Sequence, residues 1–274
     1  MSRARSIAKC VILARGLGTR MRRNDVEASL DAAQSAAADV GLKAMIPVGR
    51  PFLDYVLSAV ADEGFTQICL VIGPEHHAVQ EYYSKTVQPQ RVAINFADQS
   101  EPRGTADAVL AARKFAGTDE FLVINSDNYY PADALDAIQA LGQPGTVLFD
   151  SLALVRESNI PPARIRAFAH CLIDANGFLA DIVERPENGS ALDPDAPKLV
   201  SMNCWRFGPD IFTACRQVPL SPRGEYELPL AVKLAIQQGA KFKAAMCHSG
   251  VLDLSRRSDI AAVAERLRNV GVRL

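Results

Sequence analysis

Short apolar segments typical of buried strands alternate along this chain with segments typical of helices. The predicted strands are 9–14, 67–72, 92–97, 121–125, 146–148, 165–173, 200–207, 242–246 and 251–254. The predicted helices are 52–63, 76–83, 105–115, 228–238 and 258–268. Such alternation is typical of βαβ units. It predicts an α/β fold, a three-layer α/β/α sandwich around a mostly parallel, mixed central sheet, in a single domain over 1–274.

Composition excludes several classes of protein. The chain has 274 residues, of which 49% are hydrophobic and 22% charged, enough for a large core. A net charge of −1 gives no reason to expect nucleic acid or a membrane surface as a partner. The six cysteines are scattered without metal-site spacing. Together with the lack of a signal peptide or membrane-spanning stretch, they predict reduced thiols in a cytoplasmic protein.

The apolar run Val11–Ala14 breaks into a loop that contains Gly16, Gly18, Thr19 and Arg20. Glycines allow positive φ and let backbone N–H groups face a ligand without a Cβ in the way. Arginine adds a permanent forked charge suited to phosphate oxygens. A strand that enters such a loop predicts a site for a polyphosphate.

Three other interpretations of this loop must be considered. A dinucleotide-binding fingerprint would place its third glycine at Met21, so a nicotinamide dehydrogenase is a poor fit. A Walker loop needs a lysine between Gly18 and Thr19. An ordinary strand-to-helix turn would look similar, and the loop alone does not exclude it.

A second segment completes a specific pattern. Lys43 lies four residues before Pro47, and the turn then enters a predicted helix through 51–55. Together with the glycine loop, this segment resembles the sugar-1-phosphate nucleotidyltransferases, also called sugar-nucleotide pyrophosphorylases, over about 8–263. The resemblance is to the single-domain type, such as the thymidylyltransferases, because no hexapeptide repeat follows. It implies a Rossmann-like nucleotide-diphospho-sugar transferase fold.

The resemblance also implies the catalytic residues. These are Arg20, Lys43 and Asp127, which follows the buried strand 121–125. Asp127 and Asp253 would bind Mg²⁺, the one cofactor implied, since magnesium prefers one or two carboxylates together with phosphate oxygens. The segment around Asp253 lacks the tryptophan and the Gly-Thr of the family, and Asp259 is the competing candidate.

The substrate-binding residues follow from the same resemblance. The implied nucleotide-binding residues are Leu13, Ala14, Gly16, Gly18, Thr19, Gln99, Gly104 and Thr105. Gln99 can pair with a base edge because an amide offers both donor and acceptor, although a plain loop capped by threonine would look similar. The implied sugar-phosphate contacts are Glu184, Arg185 and Asn203.

Two further features depart from the family pattern. Residues 24–41 form an insert, rich in alanine, which predicts a helix capped by Asn24 or Asp25 and ended by Gly41. It is either a solvated helix or a lid over the nucleotide. Arg15 replaces a small residue of the family loop, so it either blocks the loop or adds a cation for phosphate.

The implied function is transfer of a nucleotidyl group from a nucleoside triphosphate to a sugar-1-phosphate, with release of pyrophosphate. Because Arg15 alters the loop, the alternative is a catalytically silent relative that binds a nucleotide sugar and regulates a partner. The expected partners are the two small substrates. The sequence is compatible with a homo-oligomer but does not define one.

Overall fold

The computed structural model describes residues 6–25, 28–183 and 198–274. The strands are β1 (Lys9–Leu13), β2 (Gln67–Ile72), β3 (Ala93–Asp98), β4 (Phe121–Asn125), β5 (Asn128–Tyr129), β6 (Gly145–Asp150), β7 (His170–Ile173), β8 (Leu179–Val183), β9 (Leu199–Phe207), β10 (Lys243–Cys247) and β11 (Leu252–Asp253).

The helices are α1 (Thr19–Arg22), α2 (Ala32–Asp39), α3 (Phe52–Asp62), α4 (His77–Glu81), α5 (Thr105–Ala111), α6 (Arg113–Ala116), α7 (Ala132–Ala140), α8 (Ser151–Glu157), α9 (Pro162–Ile165), α10 (Ile211–Gln217), α11 (Leu228–Gln237) and α12 (Asp259–Leu267). A 3₁₀ turn covers Lys43–Met45, and a π-helical turn, Tyr82–Val87, continues α4.

The central sheet is mixed, in the order β10-β6-β9-β4-β1-β2-β3. Strand β1 is parallel to β2 and β4, and β2 is parallel to β3. Strand β9 runs antiparallel between β4 and β6, while β7 and β8 form a hairpin beside β9. The parallel strands therefore end at one edge, where the loops after β1, β3 and β4 can form a common site.

The two faces of the sheet carry separate apolar cores. Along β1, Cys10 and Ile12 pack in the core that includes α3, α7 and α12. Val11 and Leu13 pack in the opposite core with α5, α10 and α11. This follows from the strand period of two, which sends successive side chains to opposite faces. The three-layer arrangement predicted from the sequence is confirmed.

The structure corrects several predicted elements. The segment 165–173 is not one strand, because α9 occupies its beginning and β7 starts only at His170. Helices α7, α8 and α10 were missed. For α8 the signal was present: the Asp150 carboxylate accepts from the N–H groups of Leu152 and Ala153, a typical N-cap.

The insert is helical over a shorter range than predicted. Helix α2 begins after Asp31, whose carboxylate accepts from the Gln34 N–H, while the Gln34 side chain accepts from the Asp31 N–H. This capping box, rather than Asn24 or Asp25, starts the helix. Gly41, with φ 72°, follows the helix end as expected.

Two predictions about composition can be compared with the structure. All six cysteines are buried, free thiols, and burial raises the pKa of Cys69 to about 12. Within the described ranges, none of the helices has the length and apolar character to cross a bilayer.

Candidate active site

A cavity of about 340 Å³ opens at the carboxyl ends of β1, β3 and β4. It is lined by Leu13, Ala14, Arg15, Gly16, Leu17, Thr19, Gly41, Leu42, Lys43, Ala44, Gln99, Pro102, Gly104, Thr105, Ala108, Asn125, Ser126, Asp127, Asn203 and Glu225. Most of the predicted nucleotide-binding residues therefore meet around one space. The exceptions among the described candidates are Gly18, Arg20 and Asp253, which lie outside this lining.

Gly18 shapes the loop from outside the cavity. Its φ of 62° is left-handed, and a Cβ at this position would lie 2.2 Å from the Gly41 carbonyl oxygen. Only glycine allows the glycine loop and the end of the insert to approach so closely. Arg20, in α1, is exposed, and its catalytic role stays a prediction.

Lys43 and Asp127 meet at the cavity wall. The Lys43 ammonium, held by the 3₁₀ turn, donates to Asp127 Oδ2. Both side chains are only about one fifth exposed, at 19% and 21%. Residues 84 positions apart in the chain thus place a cation and a carboxylate together at the wall of the cavity.

Asp253 lies next to Asp127 because of a short strand pair. Strands β5 and β11 are antiparallel and place Asp253 opposite Asn128. The Leu254 N–H donates to the Asp127 carbonyl at 2.8 Å, and Asn128 Nδ2 donates to Asp253 Oδ1 at 3.0 Å. Asp127, the residue just before β5, therefore lies close to Asp253, the acid with which it is predicted to share a metal.

Asp253 is buried and held by several donors. Arg164 donates to Oδ2, while Ser255 Oγ donates to Oδ1 at 3.0 Å. Burial raises the pKa of Asp253 to about 6, and the negative charge of Asp127 adds to the increase. Sequence reasoning missed Arg164, which also pairs with Asp259, the competing candidate, at 3.2 Å. That contact gives Asp259 a structural role.

The two acids fit a Mg²⁺ site by their chemistry. Each carboxylate oxygen has two lone pairs, so Asp127 and Asp253 retain acceptor capacity beyond their present donors. Burial and the neighbouring charge of Asp127 both raise the pKa of Asp253, and a divalent cation bound between the two acids would offset their repulsion. Two carboxylates leave room for phosphate oxygens and water, as Mg²⁺ prefers. In the described residues, no cluster of three or more such ligands is present.

The predicted base-reading residues also line this cavity. Gln99 is buried, and its Nε2 donates to the Gly104 carbonyl at 3.0 Å and to Asp107 Oδ2 at 2.7 Å. Gly104 has φ 113°, and a Cβ there would lie 2.5 Å from the Tyr226 carbonyl oxygen. The backbone of the segment before α11 thus closes over this loop, a contact that the sequence did not indicate.

Arg15 does not block the glycine loop. Its guanidinium pairs with Glu75 at 2.6 Å, and Nε donates to the Gln99 carbonyl at 3.0 Å. The group lies against Gly73, where a Cβ would be 2.4 Å from Nε. Glu75 thus offsets the positive charge of Arg15. The Arg15 side chain also stabilises the end of β3, after which Gln99 lies.

Asn203 and Thr105 reach the cavity in different ways. Asn203 lies in β9 at a bulge, with φ 56°, a conformation that asparagine tolerates better than most residues. Thr105 Oγ1 accepts from the Leu228 N–H at 2.8 Å, so its side chain caps the start of α11. Glu184 and Arg185, the other predicted sugar-phosphate contacts, lie outside the described residues.

The insert is anchored beside the cavity. The Arg257 guanidinium pairs with Asp39, and its Nε donates to the Met21 carbonyl at 2.9 Å. Gln34 Nε2 donates to the Pro47 carbonyl at 3.0 Å. These contacts favour a fixed support of the glycine loop over a moving lid.

Comparison with known proteins identifies the family. The nucleotidyl transferase family model matches residues 37–267, more than half of the chain. The chain belongs to the nucleotidyl transferase family. The family inferred from the glycine loop and Lys43 is therefore confirmed.

Curated relatives and solved structures agree with this assignment. The chain is 27% identical over 261 residues to a UTP–glucose-1-phosphate uridylyltransferase of Haloferax volcanii, covering 95% of this chain and 96% of the relative. It is 26% identical over 262 residues to a glucose-1-phosphate thymidylyltransferase of Streptomyces antibioticus, covering 93% of this chain and 65% of the relative.

A UDP-glucose pyrophosphorylase in complex with UDP-glucose superposes with a TM-score of 0.72 at 15% identity, covering 96% of this chain and 98% of that one. A UTP-bound enzyme of this kind from Acinetobacter baumannii gives the same TM-score at 18% identity, covering 97% of this chain and 95% of that one. At these identities the likeness concerns the fold, and it confirms the fold type expected from the sequence.

Proposed function

We propose that this protein transfers a uridylyl or thymidylyl group from a nucleoside triphosphate to a hexose-1-phosphate, giving a nucleotide sugar and pyrophosphate. The observation that carries the proposal is the meeting of Lys43 with the Asp127–Asp253 pair at a cavity bounded by the glycine loop. The uridylyltransferase and thymidylyltransferase relatives support the choice of base and sugar.

The reaction needs no protein nucleophile, because the attacking oxygen of a sugar phosphate is already anionic. It attacks the α-phosphorus in line, the new P–O bond forms, and the bond to the leaving pyrophosphate breaks. Catalysis then consists of positioning and charge neutralisation. Bound Mg²⁺ would supply positive charge to the phosphate oxygens.

Different residues of the chain would position the phosphates and neutralise their charge. Gly16 and Thr19 line the cavity, and the backbone N–H groups of this loop would bind phosphate oxygens. Lys43 would bridge the reacting phosphates, and Asp127 and Asp253 would hold the cation. Arg20 is assigned to the leaving pyrophosphate, and Arg185 with Glu184 and Asn203 to the sugar phosphate. A cytoplasmic location also remains part of the proposal.

The alternative, a silent regulator, rested on Arg15. That side chain pairs with Glu75 and the Gln99 carbonyl and leaves the cavity open. The geometry therefore removes the reason for preferring the regulator, and the relatives favour the enzyme.

The test is pyrophosphate release. The protein is incubated with Mg²⁺, five nucleoside triphosphates (UTP, dTTP, CTP, ATP, GTP) and a panel of hexose-1-phosphates. We expect pyrophosphate release with UTP or dTTP, and only when a hexose-1-phosphate is also present. Binding of a nucleotide sugar without release in any combination would instead support the regulator.

A further inference from the structure

The carboxylate of Asp253 has different donors on its two oxygens. Among the described residues, Asn128 Nδ2 and Ser255 Oγ donate to Oδ1, each at 3.0 Å, which occupies both of its lone pairs. Arg164 donates to Oδ2, which keeps one lone pair. A cation held by this acid would therefore bind through Oδ2, the oxygen to which Arg164 is already bonded.

Arg164 is buried, and its guanidinium is bonded to two carboxylates. Its side chain is 10% exposed, and one terminal nitrogen pairs with Asp253 while the other pairs with Asp259 Oδ2 at 3.2 Å. Asp259 in turn accepts from the N–H groups of Ser255 at 2.9 Å and Arg256 at 2.8 Å. The planar fork of Arg164 thus fixes the Asp253 carboxylate relative to the start of α12. A lysine carries the same charge but lacks this fork.

Asn159, in the same segment of the chain as Arg164, holds the backbone of Asp253. The Asp253 N–H donates to Asn159 Oδ1 at 2.8 Å, and Asn159 Nδ2 donates to the Asp253 carbonyl at 2.8 Å. The two segments approach closely, since a Cβ on Gly250 would lie 2.4 Å from the carbonyl carbon of Glu157. The segment 159–164 therefore contacts Asp253 at its N–H, its carbonyl and its carboxylate.

We propose that Arg164 and Asn159 are positioning residues for the divalent cation, because they hold Asp253 in the orientation that binds it. This inference rests on the proposed function, in which Asp127 and Asp253 share Mg²⁺. Groups that orient a ligating carboxylate from outside the ligand set commonly contribute 10–100-fold to metal affinity. An arginine that acted only as a counter-charge would have the opposite effect, since a positive charge near the site repels the metal.

The experiment measures the dissociation constant for Mn²⁺, used as the probe, by electron paramagnetic resonance of the protein without substrates. The main variant is Arg164→Lys, which keeps the charge but loses the fork. We expect its Mn²⁺ dissociation constant to rise about tenfold, and that of Asn159→Ala to rise as well. Arg166→Lys makes the same change at a nearby exposed arginine and should leave the constant unchanged. Thermal unfolding of the metal-free samples establishes that each variant is folded.

The metal dependence of turnover supplies a second measurement. In Arg164→Lys, the Mg²⁺ concentration that gives half-maximal pyrophosphate release should rise by a similar factor. A purely structural role predicts instead that the rate falls in the same proportion at every Mg²⁺ concentration, and that result would contradict the positioning role.

The outcomes separate this inference from the proposed function. An unchanged or lower Mn²⁺ dissociation constant in folded Arg164→Lys, or a parent protein that binds no Mn²⁺, overturns the inference even if the parent releases pyrophosphate. If Arg164→Lys does not fold, the same comparison with Asn159→Ala decides. If the parent releases no pyrophosphate with any substrate pair but Arg164→Lys weakens Mn²⁺ binding, the proposed function fails and the positioning role stands.

Discussion

Replacement of Lys43 by alanine is the sharpest test of how this site works. Lys43 lines the cavity together with residues of the glycine loop, and its ammonium group donates to Asp127. Its removal takes away a positioned positive charge where charge develops during phosphoryl transfer. It also removes from the Asp127–Asp253 pair one of the basic side chains that pair with it in the described structure, while Arg164 remains on Asp253.

The expected effect on turnover is large, while the effect on stability is small. Loss of one preorganised donor to a developing charge costs about 2.7–4 kcal/mol, which lowers kcat about 10²–10³-fold. The ion pair is partly exposed, at 19% and 21%, so solvent screens it. Breaking it should lower the free energy of unfolding by about 1 kcal/mol. The fold should therefore survive.

The assay is initial-rate pyrophosphate release at saturating substrates, with circular dichroism and thermal unfolding on the same samples. Lys43→Met keeps most of the aliphatic stem and should lose as much turnover as Lys43→Ala. Lys85→Ala removes an exposed lysine that pairs only with Glu81 in the described structure and should leave turnover unchanged. A folded Lys43→Ala protein with turnover within threefold of the parent would refute the assignment of Lys43.

Three further predictions concern the surroundings of the cavity. Gly104→Ala should raise the KM for the nucleotide at least tenfold in steady-state kinetics, because its Cβ would lie 2.5 Å from the Tyr226 carbonyl oxygen; an unchanged KM contradicts this. The stability linked to the raised pKa of Asp253 is fully present below about pH 4 and is lost as the pH rises through about 6. Denaturant unfolding of the metal-free parent should therefore lose about 1–2 kcal/mol between pH 5 and 7.5 from this group, and Asp253→Asn should abolish that part of the pH dependence. Arg257→Ala should lower the free energy of unfolding by about 2–3 kcal/mol, since a buried guanidinium bonded to two carbonyls and a carboxylate is lost. The control is Arg256→Ala, because Arg256 is the exposed neighbour of Arg257. An equal loss of unfolding free energy in that variant would exclude the anchoring role of Arg257.

The sequence predicted the strands around the site well. The bounds of β2 and β4 match the prediction, and β1 differs by one residue at its end. These strands are continuous apolar runs followed by glycine or an acid, and such signals are local. In the second half of the chain, the sequence contains the N-cap signal of α8 and the interruption of the predicted strand 165–173 by α9, but neither was predicted.

The residues of the candidate site were also predicted from local sequence patterns. The spacing of the glycine loop and Lys43, and the position of Asp127 after a buried strand, led to the nucleotidyl transferase family. These residues line one cavity because the carboxyl ends of parallel strands share an edge of the sheet. The position of the Arg20 side chain could not be predicted in this way, because the direction of a side chain on a short, exposed helix depends on its surroundings.

The sequence by itself thus determined the fold class, the family and the residue types that meet at the cavity. Tertiary structure alone decided that Arg164 pairs with Asp253 and that β5 pairs with β11 in antiparallel fashion. The reason is separation along the chain. Asn128 and Asp253 are 125 residues apart, and no periodicity or turn signal encodes a contact that arises only when distant segments pack together.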